Sequence, residues 1–558
     1  MMTESDVVPY DRESVDRFRQ HGWWTGRTLP AELIDAARTH ADRVALVTPE
    51  IEWTYAELFD SAAHFAGGLT RMCDVHQGDP VMFQMGNVAE TIVAYLGCLL
   101  AGTPPVCTLP QHGTREIGLL AEHVGARLLI TQADFRGGRA VETARQLLAQ
   151  GPIESVVVVR GDAGEGGVTY DELLAAGAGC APEDQAFTRV DPGSVAVFQL
   201  SGGTTGLPKV APRLHEEYTY NSRSWAQALH YDTETVVLYP LPVMHNAGIS
   251  LAVQPAILSG SRLVLAPSAD TFELLNLIDR HRPQVLPLVP PALAIRLLDT
   301  PGVTREALRS IESFVVGGQV LPLEVSVRLR DELGIEVRQM FGMAEGMFLV
   351  TPDGADEETR FHTVGAPIAP ADEIRILDPA NESEVPDGEI GELAARGPYT
   401  IRGYYRAPAH NGSAFTSDGF YRTGDLARRH PSPGGTCYSI EGRIKDVINR
   451  GVEKIHAEEV EEVMVQHPAI RTAALVAMPD PVLGEKACAY LELEDDAEPP
   501  TVATLGEFLL RAGLAKYKLP ERVEIVTALP LTNVGKVSKK VLRDDIQHKQ
   551  RIEEGEAS

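Results

Sequence analysis

Short apolar runs alternate with amphipathic segments along much of the chain. Helix-like apolar spacing occurs at residues 33–42 and 55–69. The strand-like runs are at 44–47, 81–85, 128–131, 156–159, 236–239, 262–265, 285–289 and 314–318. This alternation predicts an α/β fold with two layered subdomains around largely parallel sheets.

The pattern changes towards the C terminus. Short strands separated by turns over residues 361–442 predict a small β-rich subdomain. From residue 445 onwards, two helix-like segments and a strand-like run between them predict a separate α+β domain of about a hundred residues. The longest apolar run, at 91–102, is too short to span a bilayer and predicts a buried helix.

Composition narrows the functional classes. A chain of 558 residues, 44% hydrophobic and 23% charged, is typical of a soluble protein with several domains. Its formal charge of −28 argues against a nucleic-acid or anionic-membrane surface, so neither partner is expected. The six cysteines form no CxxC pair, and the first residues lack signal-peptide character, so a cytoplasmic enzyme is expected.

The densest chemical motif is SGGTTGLPK, at residues 201–209, directly after the strand-like run 194–200. Glycines let a backbone approach an anion closely, while the hydroxyls and the ammonium group add donors for phosphate oxygens. The spacing is not that of a Walker A loop, which argues against a P-loop NTPase. A flexible surface loop is the alternative. The predicted phosphate-binding residues are Ser201, Gly202, Gly203, Thr204, Thr205 and Lys209.

This motif resembles the phosphate loop of the adenylate-forming superfamily, which includes acyl-CoA synthetases, luciferases and the adenylation domains of peptide synthetases. Further family-like motifs follow in order: FGMAEG at 341–346, YRTGD at 421–425, GRIKD at 442–446 and GKVSKK at 535–540. The sequence is most similar to stand-alone aryl-acid AMP ligases of the 2,3-dihydroxybenzoate and salicylate type. That likeness rests on MHN at 244–246, GPYTIRGYY at 397–405 and INR at 448–450.

The resemblance implies an N-terminal domain, 1–443, that binds ATP and the acid, and a mobile C-terminal domain, 444–558, that carries a catalytic lysine. Lys445 occupies the family's hinge position. The implied reaction is attack of a carboxylate on the α-phosphate of ATP, with Mg²⁺ on the phosphates. Two anions must meet, so positioning and cationic donors carry the catalysis.

The resemblance assigns the catalytic cation to Lys536 and the magnesium ligand to Glu345. A solvated lysine in the basic run with Lys539 and Lys540 is the alternative for the first. A capping or surface carboxylate is the alternative for the second. Asp425 is implied to accept the ribose hydroxyls, with Arg443 as a second contact. The remaining nucleotide contacts implied are Gly317, Gly318, Gln319, Phe341, Gly342, Met343 and Ala344.

His245 and Asn246 are the most substrate-specific pair. In look-alikes the asparagine binds the ortho-hydroxyl and carboxylate end of a salicylate-like acid, and the histidine moves beside the reacting carboxylate. Two positions depart from that pattern, because Ala247 replaces a tyrosine wall and Leu251 replaces a hydroxyl residue. These changes disfavour dihydroxybenzoate and indicate a bulkier or less hydroxylated ring, bicyclic naphthoic and quinoline acids included. Met340 and Phe348 are implied to line the far side, and Gly317 is also assigned to this pocket.

The acceptor passage also departs from the family. Val452 stands where a glycine lines the path of the pantetheine arm, so a β-branched residue is expected to narrow it. Lys454 matches the basic residue of the same loop. The adenylation step is expected to survive, whereas thioester formation is put in doubt.

The favoured function is an aryl-acid AMP ligase that loads a phosphopantetheinylated aryl carrier protein in natural-product biosynthesis. An aryl-CoA ligase that uses free CoA is the alternative within the superfamily. A catalytically silent binding homologue is the alternative from another class.

Overall fold

The computed structural model of the protein describes residues 6–184, 190–201, 208–319, 321–432, 435–450, 453–481, 483–512, 514–532 and 536–556. The chain divides into two units, each discontinuous in sequence. The first comprises Met1–Ile374, Ala395–Tyr421 and Pro433–Cys437. The second comprises Arg375–Ala394, Arg422–Ser432 and Tyr438–Ser558.

The first unit is built from strands and helices in alternation. Its strands are β1 (Val44–Val47), β2 (Glu52–Thr54), β3 (Val81–Gln84), β4 (Pro105–Val106), β5 (Leu128–Gln132), β6 (Ser155–Val159), β7 (Gly167–Thr169), β8 (Val195–Ser201), β9 (Lys209–Leu214), β10 (Val236–Tyr239), β11 (Arg262–Leu265), β12 (Val285–Val289), β13 (Ser313–Gly317), β14 (Val337–Gly342), β15 (Phe348–Val350) and β16 (Ala366–Pro367). Its helices are α1 (Arg12–Gln20), α2 (Leu29–Thr39), α3 (Tyr55–Met72), α4 (Ala89–Ala101), α5 (Thr114–Val124), α6 (Arg139–Gln150), α7 (Tyr170–Ala176), α8 (His215–Ala228), α9 (Gln254–Ser259), α10 (Thr271–His281), α11 (Pro291–Asp299), α12 (Leu323–Leu333), α13 (Glu357–His362) and α14 (Pro408–Ala414).

Two sheets organise these strands. A nine-stranded sheet has the order β16-β15-β14-β13-β12-β10-β11-β1-β2, and its interior neighbours from β14 to β1 are parallel. A seven-stranded sheet has the order β7-β6-β5-β3-β4-β8-β9, parallel except for the β8–β9 pair. The predicted α/β layering around largely parallel sheets is confirmed.

One apolar core joins residues of both sheets to helices α2, α3, α4 and α8. Helix α3 begins at a capping box in which Thr54 and Glu57 exchange side-chain and backbone hydrogen bonds. Helix α4 is buried along almost its whole length, as the apolar run at 91–102 predicts. Among the described residues, no helix is both long and apolar enough to cross a membrane.

The second unit contains antiparallel structure. A four-stranded sheet, mostly in this unit, has the order β17 (Glu373–Leu377), β18 (Ile390–Arg396), β19 (Tyr421–Ser432) and β20 (Gly435–Arg443). A second sheet contains the strands β21 (Ile448–Arg450), β22 (Glu453–Ile455), β23 (Ile470–Asp480), β24 (Gly484–Leu493) and β25 (Arg522–Val526). The helices are α15 (Ala457–Met464), α16 (Val502–Arg511) and α17 (Lys539–Glu556). The domain boundary between residues 443 and 444 stays a prediction.

Candidate active site

The predicted phosphate loop lies between β8 and β9, which form an antiparallel pair closed by Ser201 opposite Lys209. The loop residues Gly202, Gly203, Thr204 and Thr205 lie outside the described residues. The half-buried Lys209 ammonium lies 5.0 Å from the ring centroid of Tyr404. Burial lowers the pKa of Lys209, and the charge of Glu345 opposes that shift. The structure thus brings one predicted phosphate donor close to the predicted metal ligand.

Glu345 is 3% exposed and held in one position. The Tyr404 hydroxyl donates to its Oε1, and that hydroxyl lies 2.8 Å from the hydroxyl of Tyr421. The next residue, Gly346, has a φ of +96°, and a Cβ there would lie 1.8 Å from the carbonyl oxygen of Tyr399. Only glycine fits that position, so the backbone fixes where the carboxylate stands.

Glu345 fits the role of a magnesium ligand, since Mg²⁺ takes one or two carboxylates together with phosphate oxygens and water. No cluster of three or more His, Cys, Asp or Glu side chains within the described ranges is arranged to hold a metal. A single buried carboxylate beside Lys209 fits a metal that phosphate oxygens also help to bind.

The residues predicted to contact the nucleotide meet at the carboxyl ends of β13 and β14. These strands are parallel neighbours, and Gly317 lies opposite Met340. Gly318 and Gln319 follow β13 and are exposed, while Phe341 and Gly342 close β14. Ligands of open α/β sheets bind outside such strand ends. Met343 and Ala344 come next, and the Ala344 carbonyl accepts a hydrogen bond of 3.0 Å from Arg213.

Four of the predicted aryl-acid residues, Ala247, Leu251, Met340 and Phe348, belong to the buried apolar core of the first unit. Met340 and Phe348 approach each other across Gly342, where a Cβ would lie 2.3 Å from the Phe348 ring and 3.0 Å from Met340 Cε. Trp225 packs edge-on against Phe348, with centroids 5.8 Å apart. Ala247 and Leu251 are buried members of the same core. The structure thus supplies apolar walls near the strand ends.

His245 and Asn246 are followed by Ala247, which caps a π-helical turn, Gly248–Val253, that leads into α9. Such turns are rare and are often found at functional sites. The Tyr218 hydroxyl donates to Asn246 Oδ1 at 3.0 Å, and Ser250 Oγ donates to the Asn246 carbonyl at 2.7 Å. These hydrogen bonds hold both the amide and the backbone of Asn246, which is 5% exposed.

A separate cluster of predicted residues lies within the second unit. Arg443 Nε is 3.0 Å from Asp425 Oδ1, and Asp425 is 8% exposed. Lys536 is half-buried; its N–H donates to Thr532 Oγ1 at 3.1 Å, and its carbonyl accepts from Thr532 N–H at 2.6 Å. Burial and the charges of Arg443 and Lys445 lower the pKa of Lys536 to about 8, against an opposing effect of Asp425.

The neighbours of Lys536 are not a solvated basic run. Lys539 pairs with Glu461 at 2.8 Å, and Arg543 pairs with Asp446 at 2.7 Å. Lys540 remains exposed. Lys445 lies in the short 3₁₀ turn Ile444–Asp446, where burial lowers its pKa. Val452 and the side chain of Lys454 lie outside the described part of the chain, so their predicted roles at the acceptor passage stay predictions.

Comparison with known proteins shows the family to which the chain belongs. The AMP-binding enzyme family matches residues 33–405, and the AMP-binding enzyme C-terminal domain matches residues 459–536. The chain belongs to the AMP-binding enzyme family.

Relatives match this AMP-binding enzyme over nearly its whole length. It is 38% identical to the 2,3-dihydroxybenzoate-AMP ligase of Bacillus subtilis (strain 168), over 97% of this chain and 98% of the relative. It is 41% identical to Triostin synthetase I of Streptomyces triostinicus, over 96% and 98%. The structure of ATP-bound MatB from Rhodopseudomonas palustris superposes with a TM-score of 0.82 at 26% identity, over 93% of this chain and 99% of that one. The predicted resemblance, fold class and adenylate-forming ligase class are confirmed.

Several residues of the AMP-binding enzyme that contact the predicted site residues are not found by sequence patterns alone. Tyr404 was noted only as part of a family motif, although it contacts both Glu345 and Lys209. Arg213, Gln199 and Tyr218 were not singled out. The available signal was a charged or amide side chain among the apolar residues of a strand, as with Gln199 in β8 and Arg213 in β9.

The lowered pKa of Lys536 gives a pH prediction. Because the ammonium carries the proposed role, kcat/KM for ATP in adenylate formation is expected to fall as pH rises through about 8. Removing the opposing charge in Asp425→Asn is expected to move that midpoint to lower pH. Pyrophosphate-exchange rates between pH 6.5 and 9.5 measure both. In Lys536→Arg the alkaline fall is expected to disappear, since guanidinium stays charged; its persistence would assign the titration to another group.

Proposed function

We propose that this enzyme activates an aryl carboxylic acid with ATP and passes the acyl group to the phosphopantetheine thiol of an aryl carrier protein. The observation that carries the aryl assignment is Asn246, a fixed buried amide directly before Ala247, which shares one apolar core with Leu251, Met340 and Phe348. A flat apolar body with one polar edge suits such a lining. The full-length similarity to a 2,3-dihydroxybenzoate-AMP ligase supports the same acid class.

The first step needs no nucleophilic side chain. A carboxylate oxygen of the acid attacks the α-phosphorus of ATP, the bond to the bridging oxygen breaks, and pyrophosphate leaves with that electron pair. No proton has to move. Charge develops on the phosphate oxygens, and Lys536 and Lys209 supply the cations. Glu345 would hold Mg²⁺, which neutralises phosphate charge when bound. Asp425 would accept the ribose hydroxyls, and His245 would lie beside the reacting carboxylate.

The second step transfers the acyl group to a thiol. The thiolate attacks the acyl carbon of the mixed anhydride, and AMP leaves. Either a carrier protein or free CoA supplies a pantetheine thiol, so an aryl-CoA ligase is the competing function. Incubation of the adenylate with each acceptor separates them, because the proposal expects thioester on the carrier protein and little on CoA.

Carboxylate-dependent exchange of labelled pyrophosphate into ATP tests the proposal. The panel is benzoic, salicylic, 2,3-dihydroxybenzoic, naphthoic, picolinic and quinoline acids. Exchange is expected with a ring acid that carries few hydroxyls. Exchange with none of them, in the presence of Mg²⁺, would favour the silent binding homologue. A preference for 2,3-dihydroxybenzoate over salicylate and the bicyclic acids would refute the substrate assignment.

Leu251→Ser is expected to raise the kcat/KM ratio of 2,3-dihydroxybenzoate to salicylate by about 3- to 10-fold, the worth of one hydrogen bond. The reason is that a hydroxyl would replace a wholly buried apolar wall. Ile249→Ser is the matched control, since Ile249 is equally buried on the same π-helical turn. An equal change of the ratio in both variants would mean that Leu251 does not face the ring.

A further inference from the structure

Three buried side chains form a chain of hydrogen bonds that ends on the proposed substrate residue. Gln199 Nε2 donates to the Tyr218 hydroxyl at 3.0 Å, and that hydroxyl donates to Asn246 Oδ1 at 3.0 Å. Gln199 and Tyr218 are 0% exposed. They come from β8 and α8, so rigid elements hold the chain of bonds in place.

The direction of these bonds sets the polarity of the Asn246 amide. A tyrosine hydroxyl has one proton. Because Tyr218 accepts from Gln199 and gives its proton to Asn246, the Asn246 oxygen is committed to the protein side. The amide nitrogen projects from the other side of the amide carbon, and it can only donate.

The backbone beneath this amide is also fixed. Ser250 Oγ donates to the Asn246 carbonyl at 2.7 Å, and the π-helical turn Gly248–Val253 follows after Ala247. Rotation of the whole residue is therefore opposed. Reversing the amide requires Tyr218 to withdraw its proton from Asn246, which in turn requires Gln199 to turn its oxygen to Tyr218.

We propose that Gln199 and Tyr218 are positioning residues that hold Asn246 as a hydrogen-bond donor, so that the enzyme selects acids with an acceptor ortho to the carboxylate and rejects those with an amino donor there. This inference rests on the proposed function. It adds a rule for substrate selection. The oxygen of an ortho hydroxyl can accept a hydrogen bond from the Asn246 amide N–H, whereas an ortho amino group directs its own N–H at that donor.

The test compares two pairs of acids that differ only in that ortho group: salicylate with anthranilate, and 3-hydroxy-2-naphthoate with 3-amino-2-naphthoate. Pyrophosphate exchange gives kcat/KM for each. The natural chain is expected to favour the hydroxy acid by about tenfold or more. In Tyr218→Phe the amide is free to reverse, so the ratio is expected to fall to within about threefold of unity.

Two further variants distinguish an effect on the orientation of the Asn246 amide from general damage to the fold. Tyr220→Phe makes the same change on the same helix but outside the relay, that is, outside the hydrogen-bond chain Gln199–Tyr218–Asn246. Its ratio is expected to equal that of the natural chain. Gln199→Glu offers an acceptor to the Tyr218 proton, so it is expected to reverse the relay and lower the ratio. A ratio is independent of the fraction of folded enzyme, so a merely structural role would leave it unchanged.

The outcomes are distinct. A natural chain that prefers the amino acids, or a Tyr218→Phe ratio equal to that of the natural chain, overturns the relay while leaving the aryl-acid function standing. A chain that exchanges pyrophosphate with neither pair nor any acid of the wider panel overturns the proposed function, and the inference falls with it.

Discussion

Replacing Lys536 by alanine is expected to lower the rate of acyl-adenylate formation by about 10²- to 10³-fold, the usual effect of removing one preorganised charge donor. The acid and ATP carry like charges, so the barrier depends on a cation placed where negative charge develops. The position of Lys536 is held by Thr532, which makes hydrogen bonds with both its N–H and its carbonyl. Single-turnover formation of the adenylate measures the effect directly.

Lys540→Ala is the matched control for this prediction. Lys540 is a neighbouring lysine at the start of α17 and is exposed, so its loss is expected to leave the rate within about twofold. Lys539 would be a poor control, because it forms a partly buried ion pair with Glu461. Equal rates in Lys536→Ala and the natural chain would remove the central element of the mechanism.

Strand positions in the parallel sheets were predictable because those strands are buried on both faces. The runs at 236–239, 262–265 and 285–289 coincide with β10, β11 and β12. Continuous apolar stretches of that length predict buried strands. The long strands β19, β20 and β24 were not predicted individually, because their mixed polar sequences lack such runs.

The candidate site was predictable only where a motif names the residue. Glu345, Asp425 and Lys536 came from family-like motifs, and their roles stay predictions. Tyr218 and Gln199 lie in different elements from Asn246, so only the fold brings them together. Hydrogen-bond partners of this kind depend on three-dimensional proximity that no local spacing encodes.

The division of the chain into two units could not be predicted from the order of residues along the sequence either. Between residues 375 and 437 the polypeptide contributes segments alternately to the two units. Composition does not change at those points, since the same strands continue through them. Within that stretch, Tyr404 belongs to the first unit and Asp425 to the second, although both lie in family-like motifs.

Glu217→Gln is expected to destabilise the first unit by about 3–5 kcal/mol, because it leaves the Arg213 charge buried without its counter-charge. Both side chains are at most 1% exposed, and Arg213 Nη2 lies 2.8 Å from Glu217 Oε2. The same guanidinium donates to the carbonyl oxygens of Ala344 and Tyr399, which flank Glu345 and Gly346 in space. The loss is therefore expected to reach the loop that carries Glu345.

Urea unfolding followed by tryptophan fluorescence measures this effect, since Trp225 is buried on the same helix as Glu217. Glu332→Gln is the matched control, because Glu332 and Arg328 form a pair at the same i,i+4 spacing on α12 but are 50% and 37% exposed. An exposed pair contributes about 0–1 kcal/mol. Equal shifts of the urea midpoint in the two variants would mean that the buried guanidinium finds other compensation. In that case the geometry around Glu345 would have to be held by the Tyr404 contact and the Gly346 turn without the ion pair.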